Sequence, residues 1–207
     1  MPRTKSSASW LSRHLSDPFV KQAQRDGYRS RSAYKLIELN DKDKLIRPGM
    51  RIMDLGSAPG GWSQVAGRLV GEKGRVLATD ILPMDQLKNV DFMQGDFTEE
   101  AIVRQVLDWL GSARFDLIIS DIAPNISGID SADQARSIYF LELALDTVCK
   151  TLKSGASFVA KMFQGAGSDQ YLKELRTYFA KVLIRKPAAS RKESREVYLV
   201  AKGFKGR

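Results

Sequence analysis

The 207-residue sequence contains one cysteine, Cys149, and one histidine, His14. A single cysteine closes no internal disulfide, and the two residues supply no material for a Cys/His zinc site or a Ser-His-Asp triad. Long apolar runs are missing as well. No stretch approaches the roughly eighteen apolar residues of a membrane span, and the first twenty residues, MPRTKSSASWLSRHLSDPFV, lack the uninterrupted apolar core of a secretion signal. The expected location is the cytoplasm, without a membrane partner. With 43% hydrophobic and 28% charged residues, disorder as the main state is excluded. A chain of this length buries roughly 70% of its unfolded surface, enough for one core without covalent staples.

Acidic charge is scarce at the two ends only. The net charge is +9, yet residues 1–31 carry seven Lys and Arg against two acids, and residues 185–207 carry eight against two. The intervening segment holds eighteen bases and twenty acids. Positive charge is therefore assigned to the two ends, a distribution that suits a polyanionic partner.

From residue 51 short apolar runs alternate with helix-period segments. The candidate strands are RIMDL (51–55), RVLATD (75–80), VDFMQ (90–94), FDLIISD (115–121), SFVAKMF (157–163), KVLIR (181–185) and EVYLVA (196–201). Trp62, Val65, Ala66, Leu69 and Val70 form the stripe of a helix laid on a sheet. Ile138, Leu141, Leu145, Val148 and Leu152 repeat that stripe, with Gly155 as the predicted stop. Ser168 is a predicted cap for a helix carrying Leu172, Leu175 and Phe179, and a further helix starts at Thr98 and stops before Gly111. This rhythm predicts a doubly wound α/β fold with helices on both faces of the sheet. Too few residues separate the last two strands for a helical crossover, so they should form an antiparallel hairpin that returns Glu196 to the carboxyl edge.

The chemistry-bearing residues collect at strand ends. Asp54-Leu55-Gly56-Ser57-Ala58-Pro59-Gly60-Gly61-Trp62 is an acidic strand end, a glycine-rich turn and a helix start in succession. Its G-x-x-x-G-G spacing matches neither the G-x-G-x-x-G of dinucleotide binders nor the phosphate loop, which disfavours a pyrophosphate cofactor. Asp80 closes the second strand, where a carboxylate accepts from both hydroxyls of a ribose, and Asp96 follows the third, where it meets an adenine edge or makes a turn. A nucleoside without phosphates fits this set, and S-adenosylmethionine is the common cofactor of that kind. Asp121-Ile122-Ala123-Pro124-Asn125 ends the fourth strand, where the proline and asparagine predict a rigid turn that leaves the carboxylate facing the crevice. Lys161 interrupts an apolar strand, a costly placement for a charge unless it is paired. Lys35 lies on an amphipathic helix before the sheet, where by composition alone it reads as a solvated lysine.

Taken together, Lys35 in SRSAYKL, Asp121 in SDIAPN, Lys161 in VAKMFQG and Glu196 in SREVYLVA, with the DLG-x-APGGW loop, resemble the FtsJ family of bacterial ribose 2′-O-methyltransferases. The resemblance runs from about Arg29 to Lys202. It implies a Rossmann-like class I S-adenosylmethionine-dependent methyltransferase fold, a seven-stranded and mostly parallel sheet with an antiparallel last strand. Residues 1–28 then form a basic N-terminal extension and 29–207 a single methyltransferase domain. Lys35, Asp121, Lys161 and Glu196 are implied as the catalytic set, with Asp54, Gly56, Gly60, Trp62, Asp80, Asp96 and Asp121 around the cofactor and no metal. The implied substrate is large-subunit (23S) ribosomal RNA, at the A-loop uridine of the assembled subunit, and the enzyme is expected as a monomer. Lys161 is the expected base, if burial and Lys35 populate its neutral amine; otherwise, still charged, it orients the hydroxyl and steadies the developing alkoxide. Transfer RNA as the acceptor, or a non-catalytic ribosome-assembly role, are the alternatives to this assignment.

Overall fold

The structure, a computed structural model, describes residues 17–123 and 130–206. Its frame is a seven-stranded sheet: β1 (Arg51–Leu55), β2 (Arg75–Asp80), β3 (Val90–Gln94), β4 (Phe115–Ser120), β5 (Leu152–Phe163), β6 (Phe179–Arg185) and β7 (Glu196–Phe204). The strand order is β3-β2-β1-β4-β5-β7-β6. Strands β1 to β5 pair in parallel, whereas β7 slots between β5 and β6 antiparallel to both. The predicted hairpin is present, and its returning strand is interior rather than an edge.

Six helices accompany the sheet among the described residues: α1 (Pro18–Arg25), α2 (Ala33–Asp43), α3 (Gly61–Val70), α4 (Glu100–Leu110), α5 (Asp130–Thr151) and α6 (Ser168–Tyr178). Alternation along the strands sends Ile52, Leu117, Ile119, Val159, Tyr198 and Val200 to a core beneath α2 and α3. The intervening Met53, Ile118, Phe158, Ala160 and Leu199 face α4, α5 and α6. Burial of both faces explains why the central strands read as continuous apolar runs. Helix α1 lies outside these layers and packs on α2 through Phe19 and Tyr34, whose ring centroids are 5.8 Å apart.

Four boundary expectations are corrected. Helix α5 passes into β5 without a connecting loop, so Gly155 stops no helix. It sits inside β5 with φ +80°, where the β4–β5 register shifts, a left-handed conformation that glycine adopts without steric cost. Helix α6 is preceded by Gly167 in the left-handed region, and Ser168 instead turns its hydroxyl back to the Gly165 carbonyl. Phe179 begins β6 rather than ending α6. Similarly, α4 begins at Glu100, because Thr98 is held in a turn by Asp96.

Helix α2 places Lys35, and its attachment rests on Ala33, Leu36 and Leu39, all buried against the sheet. Leu36→Ala is expected to cost about 2–5 kcal/mol through lost burial and the cavity left behind, read as a lower urea midpoint with unchanged m.

Candidate active site

The chain winds outward from β1 to β3 on one side and from β4 onward on the other, so the carboxyl ends of β1 and β4 flank the topological switch point. The glycine loop fills the first of these ends. Gly56 and Ser57 donate their N–H groups to the Thr79 carbonyl at 2.9 and 3.1 Å, tying the loop to β2. Gly56 and Gly60 have φ +67° and +103°. A Cβ on Gly56 would lie 2.1 Å from Ile122 Cγ1, and one on Gly61 would lie 2.1 Å from Ser30 Oγ. The glycines are thus required by backbone shape at two positions and by close approach on both sides of the loop.

Helix α3 starts at Gly61, and its first N–H groups have no acceptor within the helix. That of Ser63 turns to Asp54, as does the Ser63 hydroxyl at 2.6 Å. The N–H groups of Gly61 and Trp62 stand at the helix start. The Trp62 ring lies in the core, 5.6 Å from the Tyr198 ring, with Nε1 donating to the Ser32 carbonyl at 2.9 Å. Any contact of Trp62 with a ligand above the loop therefore comes from its backbone.

Three carboxylates lie at or beside the loop, and Arg29 reaches it from the N-terminal side, donating to the Pro59 carbonyl at 3.3 Å. Asp54, only 1% exposed, lies beneath it, and burial pushes its carboxyl up to about 7, with further upward pressure from the charges of Asp121 and Asp80. Asp80 accepts from the Ala58 N–H on one oxygen and the Leu82 N–H on the other, both at 2.8 Å, which leaves each oxygen a second lone pair. Asp96 accepts from the Thr98 N–H at 2.9 Å and turns the chain toward α4. Beside Asp80, Ile81 and Leu82 are 65% and 59% exposed, an apolar ledge that sequence periodicity did not mark.

Across the switch point, strand pairing and α2 bring four distant residues together. Lys161 Nζ lies 3.0 Å from Asp121 Oδ1 and donates to the Asp121 carbonyl at 2.6 Å. Lys35 Nζ lies 2.7 Å from Glu196 Oε1 and 4.0 Å from Asp121 Oδ1. Lys35 and Lys161 are only 8% and 9% exposed. The composition-based view of Lys35 as a solvated lysine is thereby overturned: the amphipathic face of α2 that carries it is turned to the sheet. A fifth residue completes the cluster. Tyr198 donates its hydroxyl to Asp121 Oδ1 at 2.6 Å and accepts from Lys35 Nζ at 2.9 Å. Burial and the carboxylates of Asp121 and Glu196 raise the tyrosine well above its ordinary value. Burial alone would also raise Asp121, but the ammoniums of Lys161 and Lys35 and the Tyr198 hydroxyl hold it below the usual carboxylate range.

The FtsJ-like methyltransferase pattern matches residues 28–204, almost all of the described chain. The chain belongs to the FtsJ-like methyltransferase family. It is 69% identical to a ribosomal RNA large subunit methyltransferase E of Stutzerimonas stutzeri and 62% identical to one of Marinobacter nauticus, covering 99–100% of both partners in each case. Among solved structures it resembles a ribosomal RNA methyltransferase from Plasmodium falciparum, at TM-score 0.79 and 30% identity over 87% of this chain and all of that one.

Within this methyltransferase the structure brings Lys35, Asp121, Lys161 and Glu196 into one cluster and places Gly56 and Gly60 in the loop beside it, with Asp80 and Asp96 at the adjoining ends of β2 and β3. The expected Pro124–Asn125 turn lies outside the described residues. Tyr198 went unmarked in the sequence because a strand tyrosine reads as core. The available signal was its spacing: two residues after Glu196 it shares that residue's face, opposite Lys161 in the β5–β7 register. Among the described residues, no helix is long and apolar enough to cross a membrane, and no cluster of three or more His, Cys, Asp or Glu is placed to hold a metal.

Tyr198→Phe removes both hydroxyl bonds and leaves buried charges short of one partner. Methyl transfer should fall on the order of tenfold while the fold is retained, as measured by initial rates and circular dichroism. The raised Asp54 carboxyl has a consequence for stability. Folded protein keeps a proton there that unfolded chain releases above its ordinary value of 3.8. Its contribution is complete below that value and is lost as pH rises through about 7. Urea unfolding at pH 5 and pH 8 should show a smaller pH-dependent loss in Asp54→Asn than in the unsubstituted protein.

Proposed function

We propose that the protein transfers a methyl group from S-adenosylmethionine to a ribose 2′-hydroxyl of large-subunit (23S) ribosomal RNA, the A-loop uridine in the assembled subunit. The observation that carries this reading is the buried Lys35–Tyr198–Asp121–Lys161 cluster beside a glycine loop rimmed with carboxylates. A relative 69% identical over the full chain is named for the large ribosomal subunit, which supports the choice of RNA.

The crevice suits that cofactor in three respects. Asp80 retains lone pairs for two ribose hydroxyls, and the Ile81–Leu82 ledge offers apolar surface to a purine ring. Gly56 and Gly60 let the loop backbone come close, with the Gly61 and Trp62 N–H groups at the start of α3. The carboxylate of Asp80 beside the loop favours a cationic ligand, and Asp96 follows β3 next to it. When bound, S-adenosylmethionine supplies an electrophilic methyl group on a positively charged sulfur.

The chain's own residues then have three tasks. Asp121 fixes Lys161 through its carbonyl and its carboxylate, which engages two positions of the amine. Once the ammonium has given up a proton, the remaining position of Nζ is a lone pair that accepts the 2′-hydroxyl proton, and this is the role assigned to Lys161. Lys35 and Glu196, paired at 2.7 Å, orient the ribose on the other side of Tyr198. Alignment of the reacting groups contributes on the order of 7–11 kcal/mol, more than the 10²- to 10⁴-fold available from a base, so positioning is the larger part of catalysis.

The basic segment 1–28 and the 185–207 segment are assigned to phosphate binding, with residues 29–207 as the catalytic domain of a cytoplasmic monomer. The test is transfer of labelled methyl to large subunits from cells lacking the activity, followed by alkaline hydrolysis. Label in one alkali-resistant dinucleotide is expected. Label in mononucleotides would place the methyl on a base, and label only in transfer RNA would change the substrate. Lys161→Ala should abolish transfer while cofactor binding persists. Lys161→Arg should be equally inactive, because a guanidinium does not deprotonate in a protein; an active arginine variant would assign the lysine a charged orienting role.

A further inference from the structure

The near-neutral charge of the middle of the sequence conceals a segregation in space. At the amino edge of the sheet, opposite the site just described, a cleft of about 450 Å³ is lined by Gly49, Arg51, Lys73, Arg114, Asp116 and Lys153, with Ser112 and Ala113 between them. These residues come from the start of β1, the α3–β2 turn, the α4–β4 loop and the starts of β4 and β5. No run of basic sequence marks them. Only the parallel sheet, which gathers the amino ends of its strands on one edge, assembles four cations around a single carboxylate.

That carboxylate is already occupied. Asp116 accepts from the Arg51 N–H at 3.0 Å and lies 3.5 Å from Lys153 Nζ. Arg114 donates to the Lys150 carbonyl, which holds its guanidinium at the cleft without neutralising it. Lys73 has no ion pair among the described residues. Of the acids on the flanking segments, Asp91 pairs with Arg75, Asp146 with Lys150 and Glu72 with Lys88, which leaves Asp108 near the end of α4 as the one without an ion pair among the described residues. The cleft is therefore an exposed site of net positive charge with donors pointing from several directions.

We propose that this amino-edge cleft is a second RNA-docking site, in which Arg51, Lys73, Arg114 and Lys153 hold the phosphodiester backbone of a segment distant from the methylated nucleotide. The inference rests on ribosomal RNA being the substrate. A strand of six residues spans about 20 Å, so a nucleotide in the catalytic crevice does not itself reach the opposite edge. A large folded RNA presents separate backbone segments to both. Contacts of this kind give affinity and orientation without reading bases, and they act on substrate capture rather than on the chemical step.

The test is the double variant Lys73→Glu/Lys153→Glu, which leaves the catalytic edge untouched. For intact large subunits, KM should rise about tenfold with kcat at saturation unchanged. For deproteinised large-subunit RNA, the salt dependence of binding should lose about two units of slope, as expected for two phosphate contacts. Unchanged KM and slope would overturn the proposal. So would weaker binding to intact subunits with unaltered binding to deproteinised RNA, which would assign the cleft to an acidic ribosomal protein. If the glutamate pair fails to fold, Lys73→Gln/Lys153→Gln should still lower the slope. Failure of the unsubstituted protein to methylate subunits would sink the substrate assignment, whereas normal methylation by both proteins would sink the docking site alone.

Discussion

The site depends on keeping one buried carboxylate ionised. Asp121 stands at the end of β4 with Lys161 at 3.0 Å, the Tyr198 hydroxyl at 2.6 Å and Lys35 at 4.0 Å from the same oxygen. Two lysines in this setting would carry a large desolvation penalty without that charge, and without them burial would push the Asp121 carboxyl up. Removing any one member leaves another group short of a partner, so the members of the cluster are energetically coupled. Its interdependence also fixes geometry: Lys161 is held by two acceptors on one residue and has little rotational latitude.

Tertiary structure assembles this unit from pieces of very different kinds. The antiparallel β7 is the critical one, because reversing its direction brings its first residues, Glu196 and Tyr198, to the edge where β4 and β5 end. Had the last strand run parallel to β5, its start would lie at the opposite edge. Helix α2 closes the cluster from above, held by apolar residues that have no chemical role. On the far side of the crevice the glycine loop is clamped between the N-terminal segment at Ser30 and the β4 end at Ile122. The glycine loop and the lysine cluster thus meet at Asp121 and Ile122.

Electrostatics divides the molecule accordingly. The glycine loop is surrounded by carboxylates, one of which, Asp54, burial holds near 7. Among the described residues, Arg29 reaches the loop at the Pro59 carbonyl, whereas the amino-edge cleft gathers positive charge at the opposite edge of the sheet.

Sequence by itself determined a great deal. All seven strands were legible because apolar runs bounded by glycine, proline and charge leave few other readings, and the glycine loop was legible because its shape is imposed locally by residues without a Cβ. Lys35, Asp121, Lys161 and Glu196 could be recognised together from motifs. What the sequence does not contain is distance. The burial of Lys35, the bridging hydroxyl of Tyr198, the turn of the Trp62 ring into the core and the convergence of Arg51, Lys73, Arg114 and Lys153 all join residues far apart in the chain. Local pattern specifies which face of an element is apolar; which elements meet, and hence which charges share a low-dielectric space, is decided only when the sheet order and the direction of its last strand are set.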